Sequence, residues 1–177
     1  MELMKAIEER QSCRAYTGEQ ITDNALQKIL EAANAAPVAM GKYDDVRLTV
    51  VQDKELLTKL DAAGAKYFRR PDARPTYGAP TVILVLSKLP ESPQNPVPYS
   101  NAACFVENMS LAATDLGLGS VYLMGAILGA AADPALCKEL KVPEGFAPTS
   151  ALAVGKPSAP LKNRSLTLNK VTVDYIK

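Results

Sequence analysis

Apolar residues recur along this chain with two periods, and the switches between them mark out its elements. Leu3, Met4 and Ile7 fall on one side of a first short helix that ends near Arg10. A second helix is more fully specified. Thr22 is a good N-cap, Ile21 and Leu26 occupy the two positions of a hydrophobic staple, and Leu26, Ile29, Leu30 and Ala33 form the buried stripe. Pro37 stops it. Residues 46–51 alternate and predict a strand, and residues 54–65 predict a helix with Leu56, Leu57 and Leu60 inward. Residues 69–78, with Pro71, Pro75 and three arginines, read as a loop. The nearly continuous apolar run 80–86 fits a strand buried on both faces. Residues 88–98 hold four prolines and read as an extended connection.

The second half continues the pattern. Residues 101–116 predict a helix closed by Gly117 at C′. Its apolar positions run round most of the circumference, so it is central and wrapped by other elements or by a second subunit. A short strand is expected over 119–124. Asp133 and Pro134, an N-cap and N1 pair, open a helix through Leu140. Residues 149–154 read as another buried strand. A polar tail over 158–170 leads to 171–175, where Val171, Val173 and Tyr175 alternate with Thr172 and Asp174. That last strand has one apolar side and needs a sheet edge, in its own chain or in a partner. A projecting tail beside an all-round apolar helix suggests a dimer with exchanged ends. No repeat or linker interrupts residues 1–177, which read as one α+β domain.

Composition removes several functions. Lys and Arg total 20 against 19 Asp and Glu, a net charge of +1, which argues against a nucleic-acid partner. With no His, neither Ser-His-Asp nor Cys-His catalysis is open, nor are most zinc sites. Cys13, Cys104 and Cys137 are scattered without Cys-x-x-Cys spacing or a signal peptide, so a reduced, cytoplasmic protein is expected. No run of 18 apolar residues exists to span a membrane. Neither the Gly-x-Gly-x-x-Gly nor the P-loop route to a nucleotide is present.

The chemistry on offer is anion binding. Arg10-Gln11-Ser12-Cys13-Arg14 places two guanidinium groups and a hydroxyl in one loop, suited to a phosphate, although such a loop also reads as a solvated turn. Lys156, Lys162 and Arg164 form a second basic cluster late in the chain. Gly117-Leu118-Gly119-Ser120 fits a helix cap with a tight strand entry or a ligand contact. Cys13 lies between the cationic residues, yet a lone Cys without His is more often inert.

In order and spacing, these segments resemble the nitroreductase family of FMN-dependent oxidoreductases over nearly the whole length. The loop Arg10-Gln11-Ser12-Cys13-Arg14 is followed by Tyr16-Thr17, Ile21 and Leu26. The second helix ends in Ala32-Ala33-Asn34-Ala35-Ala36-Pro37. The central helix carries Glu107-Asn108, Leu111-Ala112-Ala113 and Leu116-Gly117-Leu118-Gly119-Ser120. Gly155-Lys156-Pro157 and then Arg164 close the match. The resemblance implies a three-layer α+β fold, with a mixed, mostly antiparallel central sheet flanked by helices and a C-terminal strand exchanged in a homodimer. It implies that Arg10, Gln11, Ser12, Arg14, Lys162 and Arg164 hold an FMN phosphate. It implies that Pro37, Val38, Ala39, Met40 and Gly41 reach the flavin ring from one subunit, and Met124 and Gly125 from the other. The implied activity is ping-pong hydride transfer from NAD(P)H through flavin N5 to a nitroaromatic or quinone, with no catalytic side chain and no metal. Two positions depart from the pattern. Gly41 stands where the family has an Asn that meets the ring, and Tyr43 where it has a Gln. They leave open an FMN-binding protein that does not turn over NAD(P)H.

Overall fold

The computed structural model of the chain describes residues 1–92 and 94–177. Four strands build its sheet: β1 (Val46–Val51), β2 (Thr81–Lys88), β3 (Gly119–Leu123) and β4 (Phe146–Gly155). Their order is β1-β2-β4-β3, so the two most continuously apolar segments take the centre. Every neighbouring pair is antiparallel. Among the described residues the isolated bridge Ser12↔Ser120 is parallel, in keeping with the mostly antiparallel sheet that the resemblance implied. The reason for the antiparallel pairing lies in the connections. Val51 at the end of β1 faces Val82 at the start of β2, so helix α3 (Lys54–Tyr67) and the loop after it return the chain to the end where β1 finished.

Alternation along β2 then divides the core. Ile83 and Val85 join Leu152 and Val154 of β4 under α2 (Asp23–Asn34) and α4 (Val97–Asp115). Val82, Leu84 and Leu86 join Val121, Leu123, Ala151 and Ala153 under α3 and α5 (Gly125–Ala131). Period-two strands between two helical layers give the three-layer architecture that the resemblance implied.

The helices carry their predicted signals. Thr22 accepts from Ala25 N–H at 3.2 Å to start α2. Asp133 accepts from Ala135 and Leu136 N–H at 3.0 and 3.1 Å to start α6 (Pro134–Glu139). Gly117 has φ 72°, and its N–H and that of Leu118 reach back to Thr114 and Ala113 carbonyls, a Schellman stop for α4. The start of α4 differs from the expectation. It begins at Val97, because Pro98 in a first turn loses no helical hydrogen bond. The extended connection is therefore shorter, and its Pro93 lies outside the described residues. Helix α5 was not predicted. Its sequence, Gly125-Ala126-Ile127-Leu128-Gly129-Ala130-Ala131, has no polar side to set a period and no side-chain cap.

Two apolar patterns are not buried in the single chain. Helix α1 (Leu3–Glu9) buries only Ala6, while Leu3 and Met4 are 66% and 57% exposed. The alternating segment 171–175 forms no strand here, and Val171, Val173 and Tyr175 are exposed. A lone strand has no hydrogen-bonding partner to hold it. No helix among the described residues is long and apolar enough to cross a membrane.

Candidate functional site

The segment after α1 is a ribbon fastened on both sides. Arg10 is the C-cap of α1, and its N–H donates to the Ala6 carbonyl at 2.8 Å. Its Nε lies 3.6 Å from Glu107 on α4. Gln11 Nε2 donates to the Lys162 carbonyl at 2.7 Å, and Arg164 donates to the Arg10 carbonyl. Further along, Cys13 N–H donates to the Ser120 carbonyl at 2.8 Å and Thr17 N–H to the Lys156 carbonyl at 3.0 Å. The two basic clusters, some 150 residues apart in sequence, therefore meet through paired contacts. Gln11, Lys162 and Arg164 share the wall of a cavity of about 590 Å³ with Lys5, Thr114 and Gly117.

Glycine and sulfur explain the close approach. A Cβ on Gly119 would lie 2.6 Å from Cys13 Sγ and 2.9 Å from Pro157 Cγ, so only glycine lets the ribbon lie against β3. Cys13 is buried with its thiol toward the Ala15 carbonyl at 3.3 Å, a packing role. Tyr16 anchors the ribbon from beneath, donating to the Cys13 carbonyl at 2.9 Å. Burial pushes this phenol well above the usual tyrosine range, with Cys13 adding to the shift.

The predicted phosphate residues do not all point one way. Arg10, Gln11, Lys162 and Arg164 converge, and Ser12 sits exposed on the same ribbon. Arg14 is exposed and turns aside, its guanidinium 5.8 Å from the centre of the Tyr77 ring. Sequence reasoning missed Gln11 as the clamp, because its role depends on the distant tail.

The predicted ring-contacting residues fall into two groups. Pro37 is exposed and Val38 is buried under α2 and α4. Ala39 N–H donates to Asn101 Oδ1 at 3.1 Å, a contact that sequence reading did not anticipate. A buried Asn in an apolar helix was the available signal. Met40 and Gly41 are left-handed, with φ 56° and 65°, and Met40 is 82% exposed. Met124 and Gly125 lie at the end of β3, where the Phe68 ring packs on Gly125, its Cζ 3.1 Å from where a Cβ would stand. One group precedes β1 and the other follows β3. These are opposite sheet edges, three strand spacings or about 14 Å apart. A single chain does not bring Met40 and Gly41 to Met124 and Gly125. It does place Ser12, beside Ser120, and Met124 at two ends of one strand, about 13 Å apart at the usual rise.

The structure is thus an antiparallel three-layer α+β fold with a cationic ribbon clamped to a late basic segment beside β3. The chain belongs to the Nitroreductase family, whose model matches residues 7–156. A relative from Archaeoglobus fulgidus, provisionally named NADH dehydrogenase/NAD(P)H nitroreductase, is 34% identical over 156 residues, covering 88% of this chain and 86% of its own. Among solved structures, an FMN-bound nitroreductase from Bacteroides fragilis matches with TM-score 0.82 and 30% identity, covering 99% of this chain and 100% of its own. An FMN-bound nitroreductase from Desulfitobacterium hafniense matches with TM-score 0.85 and 28% identity over the same shares.

Proposed function

We propose that residues 1–177 act as one domain of a cytoplasmic homodimeric FMN-dependent oxidoreductase. The observation that carries this reading is the clamp of Gln11 on Lys162 and of Arg164 on Arg10. It ties the main chain of Arg10 and Lys162 together beside Ser12, so that the cationic side chains of both segments are within reach of one phosphate dianion, which they would meet by charge-assisted bonds. The donor set fits FMN, and the strand between Ser12 and Met124 matches the run from phosphate to ring. FMN-bound relatives of the same fold support it. The opposed positions of Met40 and Met124 support a ring site completed by a second subunit. The exposed apolar sides of α1 and the tail support the same dimer.

Each part of the chain then has a task. Arg10, Lys162 and Arg164 supply positive charge to the phosphate and Ser12 a hydroxyl donor, while Arg14, turned to Tyr77, stands apart from them. Pro37, Val38, Ala39, Met40 and Gly41 from one subunit, and Met124 and Gly125 from the other, border the ring. Exposed Met40 offers an apolar side chain to the ring. FMN held by these residues would supply the redox chemistry, hydride transfer between NAD(P)H and an electron-poor acceptor such as a nitroaromatic or a quinone. No side-chain acid or base is required, so the lack of His is no obstacle.

The first test is the visible spectrum of the purified protein, with a mass measurement of the released cofactor. Arg10→Ala should weaken FMN binding by about 2 kcal/mol, the worth of one charge-assisted bond. Unchanged affinity by fluorescence titration would remove Arg10 from the site. Steady-state NAD(P)H oxidation with menadione then separates this reading from an FMN-binding protein without turnover. The second reading is favoured by the left-handed Met40-Gly41 pair, which offers no side-chain amide to the ring. A yellow protein that oxidises neither nicotinamide would establish it.

A further inference from the structure

The end of α3 and the loop that follows it carry chemistry that the site above does not use. Lys66, Arg69, Arg70 and Arg74 lie within nine residues and all are exposed. Asp72 is the one acid among them, and Asp61 nearby is occupied by Thr76. Neither these four cations nor Arg14 joins an ion pair among the described residues. Lys66, Arg69 and Arg70 line one open depression of about 490 Å³, floored by Ala62, Ala65 and Pro71.

The loop is held in one shape. Arg70 N–H donates to the Ala65 carbonyl at 2.9 Å and Arg69 N–H to the Lys66 carbonyl at 3.1 Å, which wraps the end of α3. Thr76 is pinned twice by Asp61, through its N–H at 2.7 Å and its hydroxyl at 2.9 Å. Arg69 and Tyr77 have φ 54° and 57°, a conformation unfavourable to both side chains.

Its position gives the arrangement a direction. Phe68, at one end, packs on Gly125, and Tyr77, at the other, lies under Arg14. The loop thus touches both the segment assigned to the flavin ring and the segment assigned to its phosphate. Tyr67 and Phe68, between Lys66 and Arg69 in sequence, stand edge to face with centroids 5.4 Å apart and are both half-exposed, so an aromatic ring is available to a planar group. A ligand that fits carries a planar base, a phosphomonoester, and a second end that reaches the flavin.

We propose that Lys66, Arg69 and Arg70 bind the 2′-phosphate of a reduced nicotinamide dinucleotide, so that the enzyme selects NADPH over NADH. This rests on the oxidoreductase reading above. Arg presents a rigid fork to phosphate oxygens, and three unpaired cations match a dianion better than the two hydroxyls of NADH. The selected group lies away from the hydride, so selection acts on binding.

Calorimetric titration of the FMN-loaded protein with adenosine 2′,5′-bisphosphate and with 5′-AMP tests the site without turnover. The bisphosphate should bind about tenfold or more tightly, roughly one phosphate contact's worth. Arg69→Asn with Arg70→Gln should erase the difference, the Asn keeping a residue that tolerates the left-handed backbone. The variant should retain FMN and NADH kcat/KM while NADPH kcat/KM falls by the same factor. Equal binding of the two nucleotides by the parent protein would overturn the proposal, as would an equal loss for both dinucleotides in the variant. Competition by inorganic phosphate as strong as by the bisphosphate would reduce the site to a general anion patch and overturn it too. Failure to oxidise either dinucleotide would fell the oxidoreductase reading, and the titration would still judge the phosphate site independently.

Discussion

Replacing Gly129 by alanine should damage the protein in two measurable ways. Gly129 lies on α5 where that helix crosses α3. A methyl there would overlap the Ala63 carbonyl group and lie 2.5 Å from Gly64 N. Those are backbone atoms, so no rotamer change relieves the clash. Restoring ordinary contact, near 3.4 Å, requires α5 to move outward by about 1 Å. The shift loosens Ala126, Ile127 and Ala130, all buried in the core shared with Leu60 and Leu84. Overpacking of this kind costs about 1–3 kcal/mol, and the rigid backbone places it at the upper end. Alanine's better helix propensity returns about 1 kcal/mol. The expected net loss is about 2 kcal/mol, or roughly 4–8 °C in Tm for a chain of this size. Urea unfolding followed by circular dichroism reads the first effect. The second follows from geometry: Gly125 carbonyl and Ala126 Cα stand 3.1 Å from a Cβ built on Gly64, so moving α5 moves the proposed ring segment. Flavin affinity, measured below the transition, should fall with stability. An unchanged urea midpoint would refute the packing argument. A lower midpoint with unchanged flavin affinity would refute the claim that α5 positions Gly125.

Two further outcomes follow from the ribbon and the tail. The Tyr16 phenol is held above its ordinary value of about 10, so above that pH the unfolded chain releases a proton that the native protein keeps, and stability falls as pH rises. Tyr16→Phe should lose about 1 kcal/mol near pH 8 and flatten this alkaline slope; urea midpoints across pH 8 to about 10.5 that decline alike in both proteins would rule out Tyr16 as the cause. Truncation after Arg164 keeps every proposed phosphate residue and should still lower both dimer stability and flavin retention. A truncated protein that stays dimeric by sedimentation and yellow on dilution would make the tail an accessory.

Much of the fold was legible because local signals and tertiary contacts agree. Thr22, Asp133 and Gly117 cap the helices that they were read to cap, and the apolar runs of β2 and β4 occupy the centre of the sheet. Helix α5 was illegible because small and apolar residues on every side carry no period. Its helical state depends on α3, whose Ala63 and Gly64 leave room only for Gly129. The start of α4 was misjudged because proline was read as a breaker, whereas in a first turn it is compatible.

The site was legible as a set of residue types and illegible as an arrangement. Two cationic clusters stood out, but nothing local tied Gln11 to the tail, or aimed Arg14 at Tyr77 instead of at its neighbours. Asn101 carried a weak sign, a polar residue on a buried face, and its partner was fixed only by folding. The two apolar patterns left unburied have a different cause. Periodicity records which side of a segment is removed from water, without saying by what. Leu3 and Met4 on α1, and Val171 and Tyr175 in the tail, have the spacing of buried faces and are exposed in the single chain. Burying a large apolar side chain gains about 1.5–3 kcal/mol, so two such faces left in water are a sizeable stabilisation not yet realised. The same chain separates, by the width of its sheet, the two segments proposed to share one flavin ring. In the proposed dimer a second copy would relieve both conditions at once, covering the faces and bringing its own Met40 segment to Met124. That economy is the physical ground for placing FMN binding and dimer assembly under a single free-energy coupling.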